Sequence, residues 1–123
     1  MAWGKAKIDQ ADKAFSLFIR TRDKWACQRC NKRYEPPTNL LHCSHFVGRR
    51  KESTRFEPLN CDAICFNCHQ YFTSHPLEHY EWQVERKGQK VVDQLKLQSN
   101  SYKKKDRKLE AIIWKEALKQ FKG

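Results

Sequence analysis

The stretch "LNCDAICFNCHQYF", residues 59–72, changes character halfway along. Leu59 to Ile64 suits a short strand. The CxxC that follows, Cys65 and Cys68 with His69 directly behind, suits a knuckle that opens a helix. An upstream stretch, "CQRCNKRYEPPTN", carries a second pair, Cys27 and Cys30, and a turn in which Pro36 and Pro37 forbid helix. Two such knuckles can close a tetrahedral sulfur site, because Zn²⁺ takes four ligands at ~2.3 Å and each CxxC supplies two thiolates from one turn of chain. Disulfide or redox use of these cysteines would call for an oxidising compartment or a thioredoxin-like βαβ pattern, and neither is visible. Cys43 and Cys61 stand outside the pairs, as small buried apolar residues in preference to ligands.

Between the knuckles, "LLHCSHFVGRR" (residues 40–50) predicts a strand from Leu40 to Val47, and "GRRKESTRFEPLN" an exposed basic loop closing at Pro58. Strand, loop, strand and helix in that order make a compact ββα unit, with a structural zinc stapling both ends of the segment that carries the histidines. Upstream, Ile8, Ala11, Phe15, Phe18 and Ile19 recur near helical spacing and predict an amphipathic helix over 7–23. Downstream, "SHPLEHYEWQVERKG" predicts a helix capped by Ser74 ahead of Pro76 and ending at Gly88. "QKVVDQLKLQSN" predicts a short helix, and "YKKKDRK" a connector. "LEAIIWKEALKQF" predicts an amphipathic helix with Leu109, Ile112, Ile113, Leu118 and Phe121 on or near one face. The expected fold is one α+β domain over 1–123, mostly helical. Its zinc-bound ββα core covers 25–74, between the helix at 7–23 and a helical extension at 75–123.

Charge sets the partner class. The 123 residues carry 25 Lys and Arg against 14 Asp and Glu, a formal charge of +11, which concentrates polyanions, and nucleic acid is the commonest polyanion in a cell. A merely soluble basic surface is the plainer alternative. No secretory signal and no apolar run of ~18 residues is visible, so a cytoplasmic protein with no membrane span is expected.

His45, Asn60 and His69 follow one another at intervals of fifteen and nine residues, the last directly after a CxxC. This order and spacing resemble the HNH, or ββα-metal, nucleases, and the flanking knuckles resemble their zinc-stapled branch. "ADKAFSLFIRTRD", "CSHFVGRR", "TRFEPLNCDAICFNCH" and "EHYEWQVERKGQKVVDQL" together resemble the phage NinG, or Rap, recombination proteins from about residue 11 to 97. The resemblance implies an endonuclease for branched recombination intermediates, Holliday junctions or D-loops, in a host bacterial cytoplasm. It implies His45 as general base, Asn60 as the residue that braces the loop and orients the base, and His69 as a ligand of a catalytic Mg²⁺ or Mn²⁺.

Independent chemistry agrees with those roles. Phosphodiester hydrolysis needs a water, a base for its proton, and positive charge beside the scissile phosphate. Histidine, with an ordinary pKa of ~6.5, suits the base, and Arg49, Arg50, Lys51 and Arg55 are candidates for holding DNA phosphates. The sequence departs from the family at Ser44, where a second metal ligand, Asp or His, is common. His42, two residues back on the same strand face, is the substitute expected, with Thr73, one helical turn after His69, as another.

His75 and His79, spaced i,i+4, suit surface or interface roles better than a metal pair without a carboxylate nearby. Trp3 and the lysines of "MAWGKAK" lie on DNA or fray. A homodimer would match a two-fold branched substrate. The competing classes are a non-catalytic zinc module that binds nucleic acid, and an adaptor that docks a partner through the helix bearing Trp114.

Overall fold

Helix formation begins at Asp9, whose carboxylate accepts the Asp12 amide while the Asp12 carboxylate accepts the Asp9 amide, both at 3.0 Å. This reciprocal cap satisfies two donors that a helix start leaves bare, a contribution of about 1 kcal/mol, and it sets α1 at Gln10–Arg22. The computed structural model describes residues 8–101 and 104–121. Lys7, where the sequence places the helix start, and the "MAWGKAK" segment with Trp3 lie outside the described residues.

Strands β1 (Leu41–His45) and β2 (Cys61–Cys65) pair antiparallel, with Leu41 opposite Cys65, Cys43 opposite Ala63 and His45 opposite Cys61. Alternation therefore gathers Leu41, Cys43, His45, Cys61, Ala63 and Cys65 on one face and His42, Ser44, Asp62 and Ile64 on the other. Both strands differ from the expected bounds. β2 starts after Asn60 because Pro58 opens a single 3₁₀ turn, Pro58–Asn60. β1 stops at His45 because the amides of Phe46 and Val47 turn to the Asn60 backbone carbonyl and side-chain carbonyl, both at 2.8 Å.

The segment read as an exposed basic loop is not one. Glu52–Arg55 forms a short helix, α2, in which Ser53, Thr54 and Arg55 are buried. Its hold is polar: the Ser53 hydroxyl donates to the Gln98 carbonyl at 2.5 Å, and the Gln98 amide returns a bond to the Ser53 carbonyl at 2.8 Å. The polar groups of buried Ser53 cost little when so paired, whereas left bare each would cost about 1–3 kcal/mol.

Helices α3 (Phe66–Ser74), α4 (Pro76–Lys87), α5 (Gln89–Ser99) and α6 (Arg107–Gln120) complete the chain. Ser74 does not cap α4: α3 runs through it, and His75 takes the capping position without a side-chain bond. Gly88 ends α4 at φ +93, a value disfavoured for residues with a Cβ. α4 is locked to the sheet through Asp62, 1% exposed, which accepts from Gln83 at 2.9 Å, Lys87 at 2.9 Å and Arg86 at 3.0 Å. Burial acts to raise the Asp62 pKa, and Lys87, Gln83 and Arg86 together overcome it and hold the carboxyl below its ordinary range.

Two apolar clusters flank the sheet. One gathers Cys27, Leu41, Ala63, Ile64, Cys65, Cys68 and Phe72 around the paired knuckles. The other sets Ala11, Phe15 and Ile19 of α1 against Phe56 and Cys61, with Trp114 of α6 packed on it. α6 thus closes the monomer's own core: the Trp114 ring lies 4.8 Å from Phe15 and 4.9 Å from Phe18, and Phe121 lies 5.4 Å from Phe18. Of the residues expected on one face, Leu109, Ile112 and Ile113 stay exposed and Phe121 only touches Phe18, because the helix packs on the core through Ala111 and Trp114. The chain is thus α+β and mostly helical around a two-stranded sheet, and among the described residues no helix is long and apolar enough to cross a membrane.

Candidate functional site

The two knuckles meet. Cys27 and Cys30 sit in a tight turn closed by the Cys27 amide on the Lys32 carbonyl at 2.9 Å and by Asn31 at φ +66, a conformation asparagine tolerates. Cys65 and Cys68 enter from the other side, at the end of β2 and the first turn of α3. The four sulfurs lie within 4.8 Å of one another. Cys30 Sγ is 3.8 Å from Cys65 Sγ, far beyond a disulfide and equal to the ~3.8 Å edge of a tetrahedron with Zn–S bonds of ~2.3 Å. Burial raises the Cys65 pKa, but the Cys68 amide and the neighbouring thiols outweigh it and bring Cys65 down to about 7, whereas burial and the Cys65 and Cys27 thiols push Cys68 up to about 12 against Arg29, so an ion bound there displaces a proton. The donor set fits a structural metal ion such as zinc.

A cavity of about 730 Å³ runs between α1 and the β1 edge, and His42, His45, His69 and Arg49 all line it. His42 projects from β1 toward α3, and its Nδ1 lies 2.9 Å from His69 Nδ1. The Asn39 carbonyl can only accept, so His42 Nε2 donates to it at 3.0 Å and leaves Nδ1 as the acceptor for His69. The same 2.9 Å is close to the ~3.0 Å between two cis nitrogens ~2.1 Å from one octahedral ion, so the pair also suits a shared cation. Burial, with His42 beside it, lowers the His69 pKa.

His45 leaves the opposite face of β1. Its Nε2 donates to the Arg55 carbonyl at 2.9 Å, which leaves Nδ1 unprotonated. Burial pushes the His45 pKa down to about 4, with Arg49 adding to the fall and the Arg55 carbonyl resisting it, so the ring is neutral near pH 7 with Nδ1 free, and is a weaker base than an ordinary histidine. Asn60, fully buried, fixes the turn after His45: its amide donates to the Val47 carbonyl at 2.9 Å and the Thr54 carbonyl at 3.1 Å, while its oxygen accepts the Val47 amide.

Other expected site residues fall elsewhere. Arg55 does not face a ligand: it is 4% exposed and forks onto Asp12, Nε to Oδ1 at 2.8 Å and Nη2 to Oδ2 at 2.5 Å. The short helix that replaces the expected loop turns this side chain inward, leaving Arg49 half-buried on the cavity wall and Arg50 and Lys51 exposed. Ser44 is buried opposite Asp62, and the Thr73 hydroxyl donates to the His69 carbonyl at 2.9 Å instead of reaching toward an ion. His75 and His79 part company, His75 stacking on Tyr71 at 4.1 Å and His79 on Phe72 at 4.5 Å. Among the described residues, no third His, Cys or carboxylate completes a cluster with His42 and His69.

Two features were missed in the sequence. Lys13 and Arg20 of α1 line the same cavity. With Ser16 they form a polar stripe at helical spacing beside the apolar one, a signal available from periodicity alone. Cys43 and Cys61 pack in the second apolar cluster as expected, but their sulfurs also lie within 4.8 Å of each other and of a His45 ring nitrogen. Comparison with protein-family models, with curated proteins and with solved structures finds no match to the chain.

Proposed function

We propose that the chain is a metal-dependent DNA endonuclease of the HNH type, stapled by a structural zinc at Cys27, Cys30, Cys65 and Cys68. The observation that carries the reading is the convergence of His42, His45, His69 and Arg49 on one cavity. His42 and His69 would hold a divalent cation, Mg²⁺ or Mn²⁺, which supplies positive charge beside a scissile phosphate. His45, neutral at pH 7 and oriented by the Arg55 carbonyl, takes the proton of the attacking water at Nδ1. Asn60 positions His45 by fixing the turn that follows it. Arg49, Lys13, Arg50 and Lys51 bind flanking phosphates, with the +11 chain charge drawing DNA in and making affinity fall steeply with salt. Branched DNA as the preferred substrate rests on the sequence resemblance, as does the setting in a host bacterial cytoplasm.

A second reading, a zinc-stapled module that binds nucleic acid without cutting it, is favoured by one observation: Ser44 is buried and Thr73 turned away, leaving His42 and His69 without a third ligand. Cleavage of labelled duplex, single strand, fork and four-way junction with Mg²⁺, Mn²⁺ or chelator separates the two. Metal-dependent cutting that His45→Ala abolishes while retaining DNA affinity is the expected result. Tight binding with no cutting under any cation would leave the module.

A further inference from the structure

Three potential ligands, two cysteines outside the sites above and His45 of the cavity, lie together on the α1-facing side of the sheet. His45 and Cys61 are directly opposed across the strands, and Cys43 lies two residues before His45 on the same face. Their ligand atoms are all within 4.8 Å of one another. The positions are rigid: the Cys61 carbonyl accepts from Arg22 at 2.8 Å, and His45 Nε2 is committed to the Arg55 carbonyl at 2.9 Å. A histidine that ligates a metal through one nitrogen while the other donates to a carbonyl is the usual arrangement around such ions, because the second bond fixes ring and tautomer. An ion has a way in, since Cys43 and His45 line the cavity while Cys61 closes the inner side.

We infer that Cys43, His45 and Cys61 form a second metal site, selective for a thiophilic divalent ion such as Zn²⁺, with its fourth position open to the cavity. Two thiolates and a neutral imidazole around Zn²⁺ give no net charge, so the complex avoids the cost of burying an ion. Hard cations such as Mg²⁺ prefer oxygen and are rejected by the sulfurs. Cysteine ligates as the thiolate, so uptake releases protons. The ion would occupy the nitrogen that His45 needs as a base. Resting on the nuclease reading, the consequence is inhibition by Zn²⁺ beyond the structural equivalent.

The test compares the full chain with Cys43→Ala and Cys61→Ala after reconstitution with Co²⁺ or Zn²⁺ under reducing conditions. Thiolate-to-cobalt charge transfer reports sulfur ligands alone, so an ion held by His42 and His69 does not contribute. With six free cysteines in two sites, Cys43→Ala should lose one ion per chain and about one third of the charge-transfer intensity, with its circular dichroism unchanged. Cys61 is fully buried, so Cys43→Ala, at the half-buried wall, decides the matter if Cys61→Ala fails to fold. Equal metal content and equal intensity in wild type and Cys43→Ala would overturn the site. So would a Cys43–Cys61 disulfide in protein purified without reductant that persists when Zn²⁺ and a mild thiol are supplied. In the cleavage assay, Cys43→Ala should need at least tenfold more added Zn²⁺ to halve the rate it shows with only its structural zinc. If no variant cuts DNA, the nuclease reading fails, and the metal count still decides the site.

Discussion

Asp12 and Arg55 are 7% and 4% exposed and joined by two hydrogen bonds of 2.8 and 2.5 Å. Asp12→Asn is the cleanest perturbation of this pair. It retains one oxygen to accept the Asp9 amide in the helix cap, so capping is preserved, while the charge and the acceptor for Arg55 Nε are removed. The Arg55 guanidinium is then left in a buried position with Glu52 at 3.5 Å as its remaining carboxylate. Breaking a buried pair from one side costs about 3–5 kcal/mol, and the residual Glu52 contact places the expected loss near the lower end, about 3 kcal/mol. For a chain of this length that corresponds to a fall in melting temperature of roughly 10–15 °C.

Arg55→Met should cost less, because Arg107 remains 3.9 Å from Asp12. The double variant should be more stable than the two single losses predict, by about 2 kcal/mol or more, since each single change leaves a buried charge without its two-bonded partner. Urea unfolding of the four proteins closes the cycle. A loss below about 1 kcal/mol for Asp12→Asn, or strictly additive losses, would mean that water reaches the pair and that the reasoning is wrong. A DNA-binding arm adds a check: Arg55→Met, measured where it is folded, should keep its affinity, while Arg49→Ala should lose some.

Asn60→Ala strips three hydrogen bonds from backbone groups of half-buried Val47 and buried Thr54; a loss of about 2–4 kcal/mol in denaturant unfolding is expected. Stripping the ion from the four-cysteine site with a strong chelator at pH 7 should unfold the core, because a structural zinc contributes about 10–16 kcal/mol against a total stability of about 5–15 kcal/mol. The fluorescence of Trp25 and Trp82, packed beside the cysteines, should shift red. Burial holds His79 down to about 4 against its ordinary 6.5. A folded pKa below the unfolded one makes this a contribution present above pH 6.5 and lost as pH falls toward 4, because the unfolded chain binds the proton first. His79→Gln should therefore reduce the acid-side loss of stability by about 1–3 kcal/mol, read as a shallower slope of unfolding free energy between those pH values.

The strands, the knuckles and the order of the histidines were legible because each is local. A CxxC is two ligands on one turn, and a fifteen-residue interval is visible without knowing where the chain goes. The first helix was legible from the spacing of Ala11, Phe15 and Ile19, all of which are buried. The stretch from Gly48 to Asn60 was not, because its charge suggested solvent. Whether Arg55 faces water or a carboxylate depends on Asp12, forty-three positions away. α6 misled in the opposite direction: its largest aliphatic residues lie outside the edge that docks, since Trp114 and Phe121 meet the aromatic rings of α1.

The sequence by itself determined the donor chemistry: four cysteines in two pairs, a histidine behind one of them, and a basic chain. Tertiary structure alone decided which donors share a site. Pairing β1 with β2 puts His45 opposite Cys61 and turns Cys43 to the same face, so two cysteines that read as filler become neighbours of the histidine read as the base. The same pleat sends His42 to the other face to meet His69. Strand register has a period of two, so the partner strand settles which of two adjacent side chains meets which set of neighbours.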